Sequence, residues 1–449
     1  MSAPLHLKIW NGIGGIARRH SPAYWLTAIA VLAITIWATP FIDARVNLTR
    51  ERNWVFQNLS QSATNPLAPR NVKAVLIKDD DFWDGDLHHR NPTDRAYLAR
   101  LIRTLDAADA SVIALDFDMR IPTSAGRVRP GDYGAVDPYP PYRAETDALV
   151  RAIGDVAQRR KVVLARTIGG PPDGPFVLVD DVFPAYGICV RPRADGAWDN
   201  PGTAEFPLTP RARANISCGY IALMDDSRRV APPAPLRGQA TRIDSLSVAV
   251  ARARDPSAIP DFGERRFYAS YIPTSQMNNP HVAVSAHDVL ADTDGARAVV
   301  QGWPVIVGAA WNLRAKGSGL MVDLHDSPIG PVSGLMIHQN LAEAVLSRRI
   351  FPSPSENTLR GLEVLVGASA AVFFALFRRL WARLAAVAAA MAALFLTQWL
   401  TLQLFGGFFD AFIPVFGLGL HAVADRMVGE HHPPHEDPAI PSAPPEDFV

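Results

Sequence analysis

The sequence predicts an α/β chain: a single exported, mainly parallel-sheet domain held by four transmembrane α-helices. Three observations predict it. Short apolar runs alternate with helix-period segments between residues 71 and 349, the pattern of successive βαβ units. Long uncharged stretches lie near both ends of the chain. The 449 residues balance 44 Lys and Arg against 44 Asp and Glu, with 48% hydrophobic and 20% charged residues. That composition excludes a largely disordered chain and, lacking a basic excess, argues against a nucleic-acid partner.

Residues 1–20 form a leader carrying Lys8, Arg18 and Arg19, read either as an interfacial helix around residues 5–10 or as a disordered segment. Residues 21–42 follow without a single charge, enough to cross about 30 Å of hydrocarbon as a helix. A secretory signal peptide is the competing reading. The run is long for such a peptide, and Ala38-Thr39-Pro40-Phe41-Ile42-Asp43 is a poor cleavage site, so an uncleaved anchor is expected. Three more spans are expected within residues 359–425, at about 361–378, 383–403 and 407–425, with Gly406-Gly407 marking the last turn. Glu363 sits just inside the first of these, where an ionisable group is costly.

Topology follows from the loops. Arg378, Arg379 and Arg383 crowd one short connection, whereas the 404–410 turn has no Lys or Arg. The basic connection therefore lies in the cytoplasm. Counting back leaves both termini cytoplasmic and residues 43–358 outside. The Pro-rich tail, 426–449, contains His431, His432 and His435, but Pro433 and Pro434 interrupt them. A solvated, disordered cytoplasmic tail is expected rather than a metal site.

Within the external domain, strands are expected at 72–77, 111–117, 161–165 and 303–308, with another at 266–271. Helices are expected at 93–108 with Thr93 as N-cap, at 146–156, 244–254 and 285–290, and finally at 335–346. The loop-rich middle, 169–235, reads as an insertion or a sheet extension. Both cysteines, Cys189 and Cys218, fall in this exported region. An oxidising compartment favours a disulfide between them, worth roughly 3 kcal/mol in the chain-entropy model.

In order along the chain, these segments resemble the type-two CHASE domain, an extracellular sensory module of bacterial cyclases and histidine kinases. The residues that carry the resemblance are Leu76-Ile77-Lys78-Asp79-Asp80-Asp81, the helix opening at Arg95, Ile113 to Phe117, Glu145-Thr146-Asp147 and Lys161 to Ala165. Further on they are Gly219-Tyr220, Asp226 to Val230, Val305 to Ala309, Asp323 to Gly330 and Gly334 to Asn340. The resemblance implies a sensory domain in a bacterial inner membrane protein, with its main domain periplasmic. Two departures stand out. The family's Trp-Pro turn before the first helix is reduced to Asn91-Pro92, with Trp83 upstream. The cyclase, kinase or phosphatase domain usual after the last span has no counterpart in the roughly 24 residues after Asp425, too few for a catalytic core.

Candidate binding residues come from strand ends. Ligands of open α/β sheets bind at the carboxyl ends of the strands. There Asp79 and Asp81, Asp116 and Asp118, and the late loop residues Asp323, His325 and Asp326 offer carboxylates and an imidazole for a cation or polar ligand. The competing reading is that these Asp residues cap helices and hydrogen-bond loops. His281, His287 and His338 stand alone and read as structural. No Walker loop, G-x-S-x-G or HExxH motif is present, so neither an enzyme nor a cofactor is expected. The chain reads as an input protein: it binds a ligand or partner outside and signals through its membrane helices to a separate effector or envelope protein, as a homo-oligomer. The alternative is a structural subunit of a membrane-anchored oligomeric assembly without a small ligand.

Overall fold

Six short strands, rich in Val, Ile, Leu and Ala, join into one wholly parallel sheet: β1 (Lys73–Ile77), β2 (Val112–Asp116), β3 (Lys161–Arg166), β4 (Ile216–Tyr220), β5 (Ala283–Ser285) and β6 (Pro304–Ala309). Their spatial order is β5-β1-β6-β2-β3-β4. The last long strand in sequence, β6, thus lies between the first two. Helices cover both faces, the longer ones among the described residues of this domain being α1 (Arg95–Ala107), α2 (Tyr142–Ala157), α3 (Leu246–Arg254) and α4 (Gly334–Leu346). The structure, a computed structural model, describes residues 22–46, 71–120, 126–129, 132–136, 142–170, 175–223, 229–312, 322–352, 356–405 and 415–424. Within those ranges it omits 89, 92, 180, 264–266, 270, 273–278, 280, 326, 328–329, 378 and 416.

The two-residue period of a strand divides the core. On β2, Ile113 and Leu115 pack with Leu98, Leu101 and Ile102 of α1 and Leu149 and Ile153 of α2. Val112 and Ala114 point the other way, towards Leu246 and Val250 of α3 and Leu341 and Val345 of α4. Both faces are buried, as a parallel sheet requires.

Local chemistry sets the helix starts. The Asp94 carboxylate accepts from the backbone N–H of Ala96 (2.7 Å) and Tyr97 (3.2 Å), so Asp94, not Thr93, caps α1. A carboxylate there also complements the positive end of the helix dipole. α2 starts at Tyr142, a turn ahead of the expected Thr146. The extra turn carries Glu145, whose carboxylate receives the buried Arg90 guanidinium at 2.9 and 2.7 Å.

The middle of the domain both extends the sheet and inserts beside it. β4 pairs with β3, and its free edge is covered. Trp198 Nε1 donates to the Cys218 carbonyl (3.0 Å) and Asn200 Nδ2 to the Ile216 carbonyl (2.9 Å), while the Cys189–Cys218 disulfide fastens the covering segment. Occupied in this way, the edge offers no free ladder to another strand. The strand expected at 266–271 is shorter, Phe267–Ala269, and lies outside the main sheet. It pairs antiparallel with Arg229–Val230 and Ile350–Pro352.

The chain divides into two compact units, Thr49–Ser353 with Trp399–Phe408, and Met1–Leu48 with Pro354–Gln398 and Phe409–Val449. The second contains the helices Pro22–Val46 and Glu356–Ala375 and most of the helix Leu380–Phe405, up to Gln398. Their contacts gather around Ala28, Ala370, Ala371, Phe374 and Ala386. A side chain at Gly367 would run into Leu32, its Cβ only 2.3 Å from Cδ1. Arg383 is buried: it donates to the carbonyls of Phe377 (2.7 Å) and Ala422. Among the described residues no helix is long and apolar enough to cross a membrane. The side chain of Glu363 and the His431, His432 and His435 cluster lie outside the described residues.

Candidate functional site

The carboxyl ends of the central strands sort the expected ligand residues into two groups. In the first, each carboxylate is already engaged by its neighbours. Asp79 leaves β1 in a single helical turn, Asp79–Phe82, and accepts from the Asn312 backbone N–H (2.7 Å) and side-chain amide (3.1 Å). It ties the exit of β6 to that of β1. Asp81 is 3% exposed and accepts from the Lys78 N–H (3.2 Å) and the Tyr97 hydroxyl (2.7 Å). Burial pushes its carboxyl above the usual range, and those two hydrogen bonds pull it back. Asp118 accepts from the Arg120 N–H and guanidinium at 3.0 and 2.5 Å and from the Thr167 hydroxyl at 3.1 Å, which makes it a turn clasp.

The second group comes together around the N-terminus of α4. Asp116 ends β2 directly opposite Gly308 of β6. A Cβ at Gly308 would lie 3.3 Å from the Asp116 Cβ and 3.1 Å from that of Leu335, so the missing side chain lets strand and helix close up beside the carboxyl. Asp323 adopts a left-handed backbone (φ 53°), and its carbonyl accepts from the Gly334 N–H at 2.9 Å. The Asp323 carboxylate lies over Gly334, where any Cβ would fall 2.2 Å from Oδ2. Its other oxygen meets His325 Nε2 at 2.7 Å. A two-residue ladder, Leu324–His325 against Val332–Ser333, holds both residues in place. Asp326 lies outside the described residues.

Electrostatics link these groups to a residue one turn further along α4. Burial, and then the Asp323 charge, push the Asp116 carboxyl up to about 8, with His325 opposing. Asp116 thus holds its proton at neutral pH and presents both a donor and an acceptor. His338 Nε2 lies 3.2 Å from the Ile221 carbonyl and Nδ1 lies 3.0 Å from the Ser247 hydroxyl. A carbonyl only accepts, so the proton sits on Nε2 and Nδ1 accepts from Ser247. Burial lowers this imidazole to about 4, partly offset by its hydrogen bond to Ile221 and by the Asp323 charge. His338 is therefore structural, as its isolation in sequence suggests, yet it senses the same aspartate.

The rest of α4 carries a buried polar stripe along its length. Gln339 donates to the carbonyls of Val72 (3.0 Å) and Val282 (3.1 Å). Asn340 accepts from the Ile272 N–H at 2.7 Å. Glu343 accepts from the N–H groups of Asn71 (2.6 Å) and Val72 (2.8 Å). One helix, about 20 Å long at 1.5 Å per residue, thus starts at the Asp116 cluster and ends by gripping the lead-in to β1. Sequence reasoning missed this, because the backbone groups that Gln339, Asn340 and Glu343 meet, at Asn71, Val72, Ile272 and Val282, lie far away in the chain.

A second buried network also escaped it. Arg90 meets Asp94 (3.0 Å) as well as Glu145, Arg95 donates to the Thr146 hydroxyl (2.7 Å), and Arg166 pairs with Asp181 and donates to the Cys189 carbonyl (2.5 Å). Burial pushes the Asp181 carboxyl up to about 6 against the pull of Arg166. These charges are mutually committed, and their role is to fix α1, α2 and the disulfide-bonded segment. Among the described residues no group of three or more His, Cys, Asp or Glu is arranged to hold a metal ion.

No curated protein and no solved structure matches the chain. The profile of the CHASE2 domain matches residues 26–378, well over half of the sequence. The chain therefore belongs to the CHASE2 domain family, a family of sensory domains typical of the periplasmic part of membrane proteins.

Proposed function

We propose that this chain is an inner-membrane input protein. Its CHASE2 domain binds a ligand or partner at the Asp116, Asp323 and His325 edge and relays that state through membrane helices to an effector on another chain. The observation that carries the reading is α4. Its first turn packs against the cluster, and its last turns hold Asn71 and Val72 through Glu343. The segment gripped there leads back in sequence to the helix Pro22–Val46, and α4 itself leads on through Ile350–Pro352 to Glu356–Ala375. A change at the cluster that shifts α4 therefore acts on the chain at both of its routes towards those helices.

The membrane spans are part of the proposal, with residues 43–358 periplasmic and both termini cytoplasmic. They are supported by the uncharged runs 21–42 and 384–409 and by large apolar side chains left exposed on those helices. Trp37 is 82% exposed and Trp381 81%, which is what a lipid-facing surface requires. The test is native purification from membranes in mild detergent, with mass determination of the intact complex. A co-purifying signalling chain is expected. A closed homo-oligomer of this chain alone overturns the relay in favour of a structural assembly.

A further inference from the structure

Away from the Asp116 edge, the segment that covers β4 builds a second cleft of a different chemistry. Residues 190–199 form a hairpin, with Val190 N–H to Asp199 carbonyl at 3.1 Å, Asp199 N–H to Arg191 carbonyl at 3.0 Å and Arg193 N–H to Ala197 carbonyl at 2.8 Å. Gly196, in the turn, takes φ 80°, a conformation glycine adopts without strain. The hairpin is anchored at its base. The disulfide fixes Cys189 to β4, and the buried Asn200 accepts from the Cys189 N–H (2.7 Å) while donating to the carbonyls of Arg213 and Ile216 (2.9 Å each). Between the hairpin and residues 210–217 lies a cavity of about 760 Å³, within the range of small-molecule sites.

Its charge is one-sided in a chain of zero net charge. Arg191, Arg193 and Arg213 line it, against the single carboxylate of Asp199. Arg213 donates its Nε to the Leu208 carbonyl (3.0 Å), which orients the side chain, and no carboxylate among the described residues pairs with it. Arg191 is held by Asp199 (2.6 Å) and Arg193 by Asp195 (3.1 Å), but both pairs are solvent-exposed and such pairs hold weakly. An adjoining cavity of about 560 Å³ shares Arg191, Arg193 and Asp199 and adds the polar side chains of Gln239 and Thr241. Guanidinium groups match carboxylate and phosphate oxygens with paired, parallel hydrogen bonds.

We propose that this cleft binds a small organic oxyanion, a multiply charged carboxylate or phosphate compound, through Arg191, Arg193 and Arg213. Asp199 acts as its internal competitor, occupying Arg191 until the ligand arrives. The site is separate from the Asp116 cluster and stands or falls independently of it.

The test is calorimetric titration of the full chain in detergent with citrate and with pyrophosphate. At least one probe binds, and affinity falls as salt rises. Citrate alone assigns a carboxylate ligand, and pyrophosphate alone a phosphate. Arg213→Gln and Arg193→Gln each weaken binding by about tenfold or more, the scale of a lost charged hydrogen bond. Asp199→Asn tightens binding, because it releases Arg191. The exposed Arg193 reports even if Arg213→Gln fails to fold. Absence of binding by both probes at millimolar concentration overturns the site, as does affinity unchanged in the Arg193 variant or weakened by Asp199→Asn.

Discussion

Two strand ends of the same sheet make opposite use of the same side chain. Where β1 ends, Asp79 and Asp81 are engaged by Asn312, Lys78 and Tyr97, and the aspartates act as fasteners. Where β2 ends, Asp116 faces Asp323 in a setting that keeps its proton on, and the aspartate stores a charge state. Residue type is the same in both, and each aspartate stands at or just beyond the carboxyl end of its strand. What differs is the neighbour: an amide and a phenol at one end, a second carboxylate and a helix N-terminus at the other. A fastener is lost with its partners, whereas a stored proton is lost with pH.

That contrast breaks first at Asp81. Replacing it with Ala leaves the Tyr97 hydroxyl and the Lys78 N–H without their acceptor in a buried site, and should cost about 2–4 kcal/mol. Urea unfolding of the full chain measures it; a loss below about 1 kcal/mol would mean that Asp81 is no fastener. His338 sharpens the other side. Its folded value of about 4 lies below the ordinary 6.5, so its contribution is present above the ordinary value and is lost as pH falls from 6.5 towards 4. His338→Gln should remove about 1–3 kcal/mol of that acid sensitivity, read as the difference in stability between neutral and acidic buffer. Equal acid sensitivity in both proteins would place the titrating group elsewhere. The smallest effect is at the half-buried Asp79. Asp79→Asn keeps one acceptor and should cost under about 1 kcal/mol, and a larger loss in thermal unfolding would show that the β1–β6 stitch carries more than a surface bond should.

Much of the sheet was legible in the sequence because β1, β2, β3 and β6 are uninterrupted apolar runs flanked by helix-period segments. β4 and β5 were not: Ile-Ser-Cys-Gly-Tyr and Ala-Val-Ser carry too little apolar content to stand out. Nor was the placing of β6 between β1 and β2, since pairing partners far apart in sequence leave no local mark. At the site, the strand-end rule named Asp116, Asp323 and His325, and the structure brings these three near one another. It could not set them apart from Asp79, Asp81 and Asp118, because the groups that engage those three, Asn312, Tyr97 and Thr167, arrive from elsewhere in the chain. The arginine cleft was invisible for the same reason: Arg191 and Arg213 meet only once the disulfide-bonded segment has folded against β4.

The most direct measurement is the pH profile of unfolding of the full chain in nanodiscs, wild type beside Asp116→Asn. The folded value of Asp116, about 8, lies above the ordinary 3.8. Its contribution is therefore complete below the ordinary value and is lost as pH rises through the folded one. Relative to Asp116→Asn, the wild type should lose about 1–3 kcal/mol between about pH 5 and about pH 9, the full linkage being discounted for the half-buried position of the side chain. Parallel profiles for the two proteins would contradict the account, because Asp116 would then hold no proton for a signal to displace.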